Sequence, residues 1–207
     1  MNKTVVVTIG RQYGSGGREI GRKLAERLGV PFYDKELIAM AAKESGIREE
    51  VLQQLDERAT NSFLYSLVMG VGNMGTRVTG TTDLPMNDKL FLVQVDLIKK
   101  IAEKGSCVIV GRCADYALRD FDGLVSVFIH SDMKNRIKRA VEQYGEDPQR
   151  VETAIRKTDK RRADYYNYYS DGKWGGADNY DLCISSDIGI DNCVDMIQKL
   201  VELKAAE

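Results

Sequence analysis

Hydrophobic residues along the chain alternate between short continuous runs and longer segments in which they recur every three or four positions. The short runs predict strands, and the periodic segments predict amphipathic helices. The predicted strands are 4–9, 107–111, 124–130 and 181–185, with a further short strand at 31–33. The predicted helices are 18–28, 35–44, 87–104, 132–143, 149–169 and 190–204. This alternation predicts an α/β fold in which about five parallel strands are covered by helices on both faces.

The chain is long enough to form one sizeable core, since it has 207 residues of which 43% are hydrophobic. We therefore expect a single domain over residues 1–207. The stretch 70–86 is rich in glycine and threonine and has no clear period, which indicates a loop within a mobile insert at about 45–86. A second peripheral segment, at about 149–176, has the density of basic residues expected of a lid.

The charge balance limits the classes of partner. The formal net charge is −1, so no overall basic field favours nucleic acid or an anionic membrane, and neither is expected as a partner. No apolar leader follows Met1, and no run of 18 apolar residues occurs. We expect a cytoplasmic protein that binds phosphate groups locally, and the sequence leaves its oligomeric state open.

The segment 4–28 joins an apolar strand, a loop with four glycines and an amphipathic helix. Glycines permit positive φ and carry no Cβ, so successive amides can converge on an anion at the N-terminus of the following helix. The ligand predicted from this pattern is a nucleotide phosphate. The alternative is a glycine-rich turn that leads into a surface helix. The residues predicted to bind ATP are Arg11, Gln12, Tyr13, Gly14, Ser15, Gly16, Gly17, Arg18 and Glu19.

This loop departs from the pattern G-x-x-x-x-G-K-[ST], because no lysine follows Gly16. The chain continues with Gly17, Arg18 and Glu19, so Arg18 is the expected cation in either alignment register. A guanidinium group binds phosphate oxygens in a bidentate manner, whereas lysine acts as a point charge. Arginine in place of lysine therefore keeps the attraction for phosphate and changes the geometry of the contact.

The segment TIGRQYGSGGREIGRKLAERLGVPFYDKELI resembles the opening of the cytidylate kinase-like family, a branch of the P-loop nucleoside monophosphate kinases. The segments CVIVGRCADYAL at 107–118 and KTDKRRADYYNYY at 157–169 resemble that family's second nucleotide strand and basic lid helix. The resemblance implies a three-layer P-loop NTPase fold with a helical acceptor-binding insert and a helical lid. It also implies ATP and Mg²⁺ as cofactors and a nucleoside monophosphate, CMP or dCMP, as acceptor.

In the kinases that the chain resembles, the insert binds the acceptor nucleotide. This implies Arg58 and Arg77 as cations for the acceptor. Asp34 ends a short strand at the expected acceptor edge and is a further candidate for substrate binding. An aspartate at this position is equally suited to cap the predicted helix 35–44.

Arg112 follows the apolar run 107–111 and should emerge where the other strands end. An arginine at a buried strand end is costly unless it is paired, so we expect Arg112 to bind phosphate in the crevice. The alternative is a structural salt bridge with Asp115 or Asp34.

Related cytidylate kinases read A-D-G-R-D at this position, and this chain has Val110 and Cys113 in place of the two aspartates. Mg²⁺ normally needs one or two carboxylates in addition to phosphates. A metal would therefore depend on Asp115, Glu19 or Asp34, or mainly on the phosphates, and no metal ligand is assigned.

Five basic residues between 156 and 162 precede a run of tyrosines. Arginines that close over a transferring phosphoryl group stabilise its charge, and Arg161 and Arg162 are the expected pair. Nucleic-acid binding is one alternative reading, and an ordinary surface helix with i, i+4 ion pairs is another.

The sequence thus favours phosphoryl transfer from ATP to CMP or dCMP, with Arg18, Arg112, Arg161 and Arg162 as catalytic residues. Two alternatives remain. The chain could be a P-loop kinase for another small acceptor, or a nucleotide-binding protein in which the altered loop and missing aspartates have abolished transfer.

Overall fold

We describe residues 3–34 and 86–206 of a computed structural model. Residues 3–34 and 98–206 form one compact unit, and residues 86–97 belong to a second. The predicted helix 35–44, the predicted insert up to residue 85, and the predicted acceptor residues Arg58 and Arg77 lie outside the described residues.

The first unit is built on a five-stranded parallel sheet with the order β2-β3-β1-β4-β5. The strands are β1 (Val6–Arg11), β2 (Phe32–Tyr33), β3 (Cys107–Val110), β4 (Leu124–His130) and β5 (Leu182–Ser185). In the registers of the central pairs, Val6 lies opposite Cys107 of β3 and Leu124 of β4. The predicted parallel α/β sheet is confirmed.

Helices connect and cover these strands. They are α1 (Gly17–Leu28), α2 (Met86–Lys104), α3 (Ala114–Ala117), α4 (Met133–Tyr144), α5 (Val151–Tyr169) and α6 (Ile190–Ala206), with 3₁₀ turns at Ala177–Asn179 and Ser186–Ile188. The short helix α3 was not predicted. No helix in the described ranges is long and apolar enough to cross a membrane.

The first strand extends two residues beyond its predicted end at residue 9. Arg11 pairs with Ile129 in the β1–β4 ladder, so this arginine belongs to the strand and not to the loop. Its side chain therefore starts from a rigid part of the sheet.

The core lies on both faces of the sheet. On one face, Val7 and Ile9 of β1 pack with apolar residues of α1 and α6, among them Leu24 and Ile197. On the other face, Phe128 of β4 contacts an aromatic group near the end of α5, with its ring centroid 5.1 Å from those of both Trp174 and Tyr180. Because the strands are parallel, their carboxyl ends meet at one edge, where ligands of such sheets bind.

Candidate active site

The loop between β1 and α1 is built on two glycines in left-handed backbone geometry. Gly14 has φ 77° and Gly16 has φ 79°. A Cβ added to Gly14 would lie 2.7 Å from the backbone oxygen of Arg136, so a larger residue does not fit without moving α4. Gly16 is the N-cap of α1 and, as a glycine, supplies no capping side chain. The first amides of α1 are therefore available to an anion.

Arginines from α4 and α5 hold the carbonyl groups of this loop. Arg162 Nη1 donates to Arg11 O at 3.1 Å, Arg136 Nε to Tyr13 O at 2.8 Å, and Arg139 Nη1 to Gly14 O at 2.7 Å. In a trans peptide, the carbonyl of one residue and the amide of the next point in opposite directions. The bond from Arg136 to the Tyr13 carbonyl therefore turns the Gly14 amide away from α4.

Tyr13 is also held through its amide and its ring. Its backbone N–H donates to Asp159 Oδ1 of α5 at 2.7 Å, and its Oη donates to Glu146 Oε1 at 2.7 Å. Burial, together with the hydrogen bond to Glu146, raises the pKa of Tyr13 to about 12. The guanidinium of Arg162 lies over the ring, 5.7 Å from its centroid. Tyr13 thus joins the loop to the middle of α5 and to the segment that connects α4 with α5.

Two of the predicted ATP-binding residues maintain the shape of the loop. Ser15 Oγ donates to Gln12 O at 2.9 Å, and the Gln12 side chain accepts a hydrogen bond from Ser131 N at 3.1 Å. These contacts close the turn and tie it to the end of β4.

Sequence reasoning missed Arg136, Arg139 and Asp159. The signal for Arg136 was present, because its position on α4 is one turn from both Met133 and Ala140 and so falls on the apolar stripe of the helix. The Arg136 side chain is 5% exposed and forms a close ion pair with Asp159. Arg139 and Asp159 have no comparable signal, since each reads as an ordinary charged residue of an amphipathic helix.

Arg18 is paired with Asp34. Arg18 Nε donates to Asp34 Oδ2 at 2.6 Å, and Arg11 Nη2 lies 3.9 Å from Asp34 Oδ1. The Asp34 side chain is 5% exposed, whereas that of Arg18 is 60% exposed. The predicted phosphate cation and the predicted acceptor residue are therefore in direct contact, an arrangement that the sequence reading did not include.

Arg112 lies in a strained turn at the end of β3. Gly111, Arg112 and Cys113 are three consecutive residues in left-handed geometry, with φ of 76°, 65° and 50°. Such geometry is unfavourable for residues other than glycine, and it is found mainly where surrounding structure enforces it. A Cβ on Gly111 would overlap the Arg11 guanidinium, so this turn and Arg11 pack directly against each other.

Arg11, Arg112 and Arg162 form a crowded group of positive charges, which we call the arginine cluster. Burial, and then the charge of Arg11, lower the pKa of Arg112 to about 10 and that of Arg162 to about 9. Burial also lowers the pKa of Arg11 itself, against the attraction of Asp34. An anion placed beside these partly buried guanidinium groups would offset the repulsion between Arg11 and each of the other two.

The two predicted lid arginines differ in their contacts. Arg162 reaches the loop, as described above, whereas Arg161 Nη2 donates to Thr158 Oγ1 of its own helix at 3.3 Å. Consecutive helical residues point about 100° apart, so only one of the pair is directed at the loop backbone.

Carboxylates near this edge of the sheet are already engaged. Asp34 is held by Arg18, and Asp115 accepts a hydrogen bond from Tyr166 Oη at 2.7 Å. Burial raises the pKa of Asp115. Glu19 lies in the first turn of α1. Among the described residues, no group of three or more His, Cys, Asp or Glu side chains could hold a metal ion.

A pocket of about 410 Å³ adjoins the loop. It is bordered by α4 on one side and by the turn between β5 and α6 on the other. Arg139 and Ile190, which line it, are also the nearest neighbours of Gly16. Ser186 Oγ is buried at this pocket and has no hydrogen-bond partner among the described residues. The remaining lining residues are Asn135, Lys138, Glu142, Gln143, Asp187 and Gly189.

Asp187 fixes the turn that borders this pocket. Its carboxylate accepts hydrogen bonds from Ser131 Oγ, Asp132 N, Asn135 Nδ2 and Ser185 Oγ. Burial opposes the charge on Asp187, but these hydrogen bonds outweigh it and hold its pKa below the usual range. The side chain therefore serves the turn and has little capacity left for a ligand.

The family model that matches the chain is described as the cytidylate kinase-like family, and the match covers residues 6–188. A crystal structure of an uncharacterized protein from Eubacterium ventriosum is 30% identical, with 96% of this chain and 98% of that chain covered and a TM-score of 0.71. No curated protein matches the chain.

More distant solved structures have the same fold. Shikimate kinase from Bacteroides thetaiotaomicron is 15% identical, with 97% of this chain and 99% of that chain covered and a TM-score of 0.55. A gluconokinase from Sinorhizobium meliloti is 13% identical, with coverages of 100% and 94% and a TM-score of 0.51. The fold is therefore that of the P-loop kinases.

Proposed function

The chain belongs to the cytidylate kinase-like family, and from that premise we propose that it transfers the γ-phosphoryl group of ATP to a nucleoside monophosphate, CMP or dCMP. The observation that carries this proposal is that the glycine loop, whose carbonyls are held by arginines, lies next to the partly buried arginine cluster. Cytidine as the acceptor base rests on the family alone.

The donor phosphates fit the loop. Of the amides that follow the three held carbonyls, those of Gln12 and Ser15 donate to Ile129 O and Gln12 O. We therefore assign the phosphates to the Gly14 amide, which Arg136 turns away from α4, and to the first amides of α1. The helix dipole adds a modest further attraction for negative charge. The 410 Å³ pocket lies beside Gly16 and is within the size range of small-molecule sites. We assign the donor base to this pocket, where the buried Ser186 Oγ would gain a partner.

The acceptor phosphate fits the arginine cluster. Burial, and then repulsion by Arg11, lower the pKa values of Arg112 and Arg162. A phosphate dianion between them would offset that repulsion. Arg162 also contacts the loop backbone, so the same side chain lies between the donor and acceptor positions.

Transfer then requires positioning and charge stabilisation more than proton movement. The bond between Pγ and the bridging oxygen of ADP breaks, and a bond forms between Pγ and an acceptor phosphate oxygen, giving ADP and a nucleoside diphosphate. That oxygen is largely ionised near neutral pH, so no general base is needed. Arg112 and Arg162 stabilise the charge on the transferring group, and Arg18 must leave Asp34 to join them.

Mg²⁺ accompanies ATP in this family of folds, but the described residues offer it no vacant group of carboxylates. Asp34 is ion-paired and Asp115 is hydrogen-bonded to Tyr166. The metal would therefore be held chiefly by the nucleotide phosphates.

A second candidate function follows from Asp34. A buried carboxylate beside the arginine cluster is suited to accept the proton of an alcohol, which a kinase acting on a hydroxyl group requires. Under this alternative the arginine cluster would hold an anionic group of a small acceptor, and Asp34 would act as the base.

An assay of ADP release from Mg·ATP, with separate acceptors, distinguishes these functions. CMP, dCMP, UMP, AMP and GMP test the first, and small hydroxy acids test the second. We expect turnover with CMP or dCMP at about 1 s⁻¹ or faster. Turnover with a hydroxy acid alone would replace the first proposal with the second. ATP binding without turnover would indicate a nucleotide-binding protein that has lost transfer.

Alanine variants of two arginines on α5, one at the loop and one on the surface, test whether Arg162 belongs to the active site. Arg162→Ala should lower kcat/KM by at least about a hundredfold, as expected for a group that stabilises transition-state charge. Arg156 is the control, because it pairs with Glu152 on the exposed surface of the same helix. Equal activity of the Arg162 and Arg156 variants would contradict the assignment.

A further inference from the structure

Both polar atoms of the Tyr13 backbone are held by one buried ion pair. The Tyr13 amide donates to Asp159 Oδ1 at 2.7 Å, and the Tyr13 carbonyl accepts from Arg136 Nε at 2.8 Å. Arg136 and Asp159 also form a close ion pair with each other, and their side chains are 5% and 16% exposed. The three groups form a closed ring around the middle of the glycine loop.

This ion pair is not needed to pack α4 against α5. The two helices already contact through Ala140, Val151 and Ile155, which are all buried. Removing two charges from water is unfavourable unless good hydrogen bonds offset the cost. Here the hydrogen bonds that offset it go to the loop, so the loop is what the pair holds in place.

From this geometry we infer that Asp159 is a positioning residue for the donor-binding loop. It acts through Arg136 and the Tyr13 peptide, and it sets the direction of the Gly14 amide that follows. The inference rests on the proposed function, because it takes the loop to bind the phosphates of ATP. Asp159 touches neither nucleotide in this arrangement.

The same residue links the loop to the arginine cluster. Asp159 and Arg162 are three positions apart on α5 and therefore share one side of the helix. Asp159 binds the Tyr13 amide while Arg162 binds the Arg11 carbonyl. Any shift of the loop relative to α5 must break both contacts, so Asp159 also fixes the distance between the donor phosphates and Arg162.

The test compares Asp159→Ala with Asp164→Ala. Asp164 lies on the same helix and is paired with Lys160 on its exposed side, away from the loop. We expect Asp159→Ala to raise the KM for ATP at least about tenfold and to leave the KM for the acceptor within about twofold, because a tie to the donor loop is lost. Asp159→Asn, which keeps an acceptor oxygen for the Tyr13 amide, should lie between Asp159→Ala and wild type. A general loss of stability would instead lower the fraction of folded enzyme and so the apparent kcat, with both KM values unchanged.

Hydrogen exchange of the Tyr13 amide provides a readout that does not depend on activity. The exchange should be slow in wild type and in Asp164→Ala and fast in Asp159→Ala, with the core strands still protected. Because Asp159→Ala leaves Arg136 buried without its counter-ion, a double variant, Asp159→Leu with Arg136→Met, removes both charges and both hydrogen bonds to Tyr13 and guards against unfolding.

Wild-type KM for ATP in Asp159→Ala or in the double variant would overturn the inference. Equal exchange of the Tyr13 amide in the Asp159 and Asp164 variants would overturn it as well. Wild-type protein that binds no nucleotide would overturn the proposed function, and the positioning of the loop would then be decided by the exchange measurement.

Discussion

Arg18 Nε donates to Asp34 Oδ2 at 2.6 Å, and this pair joins the first turn of α1 to the end of β2. The Asp34 carboxylate is buried, while most of the Arg18 side chain remains in contact with solvent. An ion pair with one exposed partner is weak enough for a ligand phosphate to compete with it. The contact therefore holds Arg18 next to the loop without preventing its use.

Replacement of Arg18 by alanine should lower kcat/KM by at least about tenfold, or about 1.4 kcal/mol, because a phosphate cation is lost. The control is Arg22→Ala, one turn further along α1, where the arginine pairs with Glu26 on the surface. Steady-state kinetics with Mg·ATP measure both. A wild-type rate in Arg18→Ala would remove Arg18 from the mechanism.

Two substitutions at Arg112 separate the backbone strain of this residue from the role of its side chain in activity. At φ 65°, alanine retains the unfavourable left-handed geometry and glycine does not. We expect Arg112→Gly to be more stable than Arg112→Ala by about 1 kcal/mol, while both lose most of their activity. Denaturant unfolding and the ADP-release assay measure the two properties. If both variants kept activity, Arg112 would be a structural residue only.

The order and type of the strands and longer helices among the described residues could be predicted from the sequence, because hydrophobic periodicity determines them locally. The short helix α3 and the 3₁₀ turns were not predicted. The stretches 6–9 and 124–129 are short and mostly apolar, and α1 has the three-to-four spacing of an amphipathic helix. The end of β1 was misplaced by two residues, because pairing with β4 carries the strand through Gly10 and Arg11. That pairing is a tertiary interaction, which the local pattern does not contain.

The site was only partly predictable. The glycine loop and Arg112 have local signals. Arg162, one of the two predicted lid arginines, contacts the backbone of the loop, and its role in transfer stays a prediction. The bonds from Arg136, Arg139 and Asp159 to the loop span more than 120 positions of sequence. Because no local pattern encodes such pairings, the residues that shape the loop became visible only in the folded chain.

Asp187 should make the stability of the protein depend on acid pH. Its pKa is lowered on folding, so its contribution is present above the unfolded value of about 4 and is lost as the pH falls through the folded value. Asp187→Asn should reduce the unfolding free energy at pH 7 by about 1 kcal/mol, a modest value because the group is exposed. The difference from wild type should shrink at pH 3.

Denaturant unfolding at both pH values tests this pH dependence. The control is Asp120→Asn, because the Asp120 side chain is exposed and its Oδ2 has only a long contact, 3.8 Å, with Arg119 Nε. A destabilisation by Asp187→Asn that is the same at pH 7 and pH 3 would show that the charge of the carboxylate is not what stabilises the turn.

Ser186 and Ser170 are both buried, but only Ser170 has a hydrogen-bond partner for its hydroxyl, the Tyr166 carbonyl at 2.7 Å. Removing an unsatisfied hydroxyl is nearly neutral for folding, whereas removing a bonded one costs about 1 kcal/mol. If Ser186 Oγ binds the donor base, Ser186→Ala should weaken ATP binding by about threefold to tenfold with unchanged stability. Ser170→Ala should instead lower the stability and leave ATP binding unchanged. Calorimetric titration with ATP and thermal unfolding measure the two effects, and unchanged ATP affinity in Ser186→Ala would place the base elsewhere.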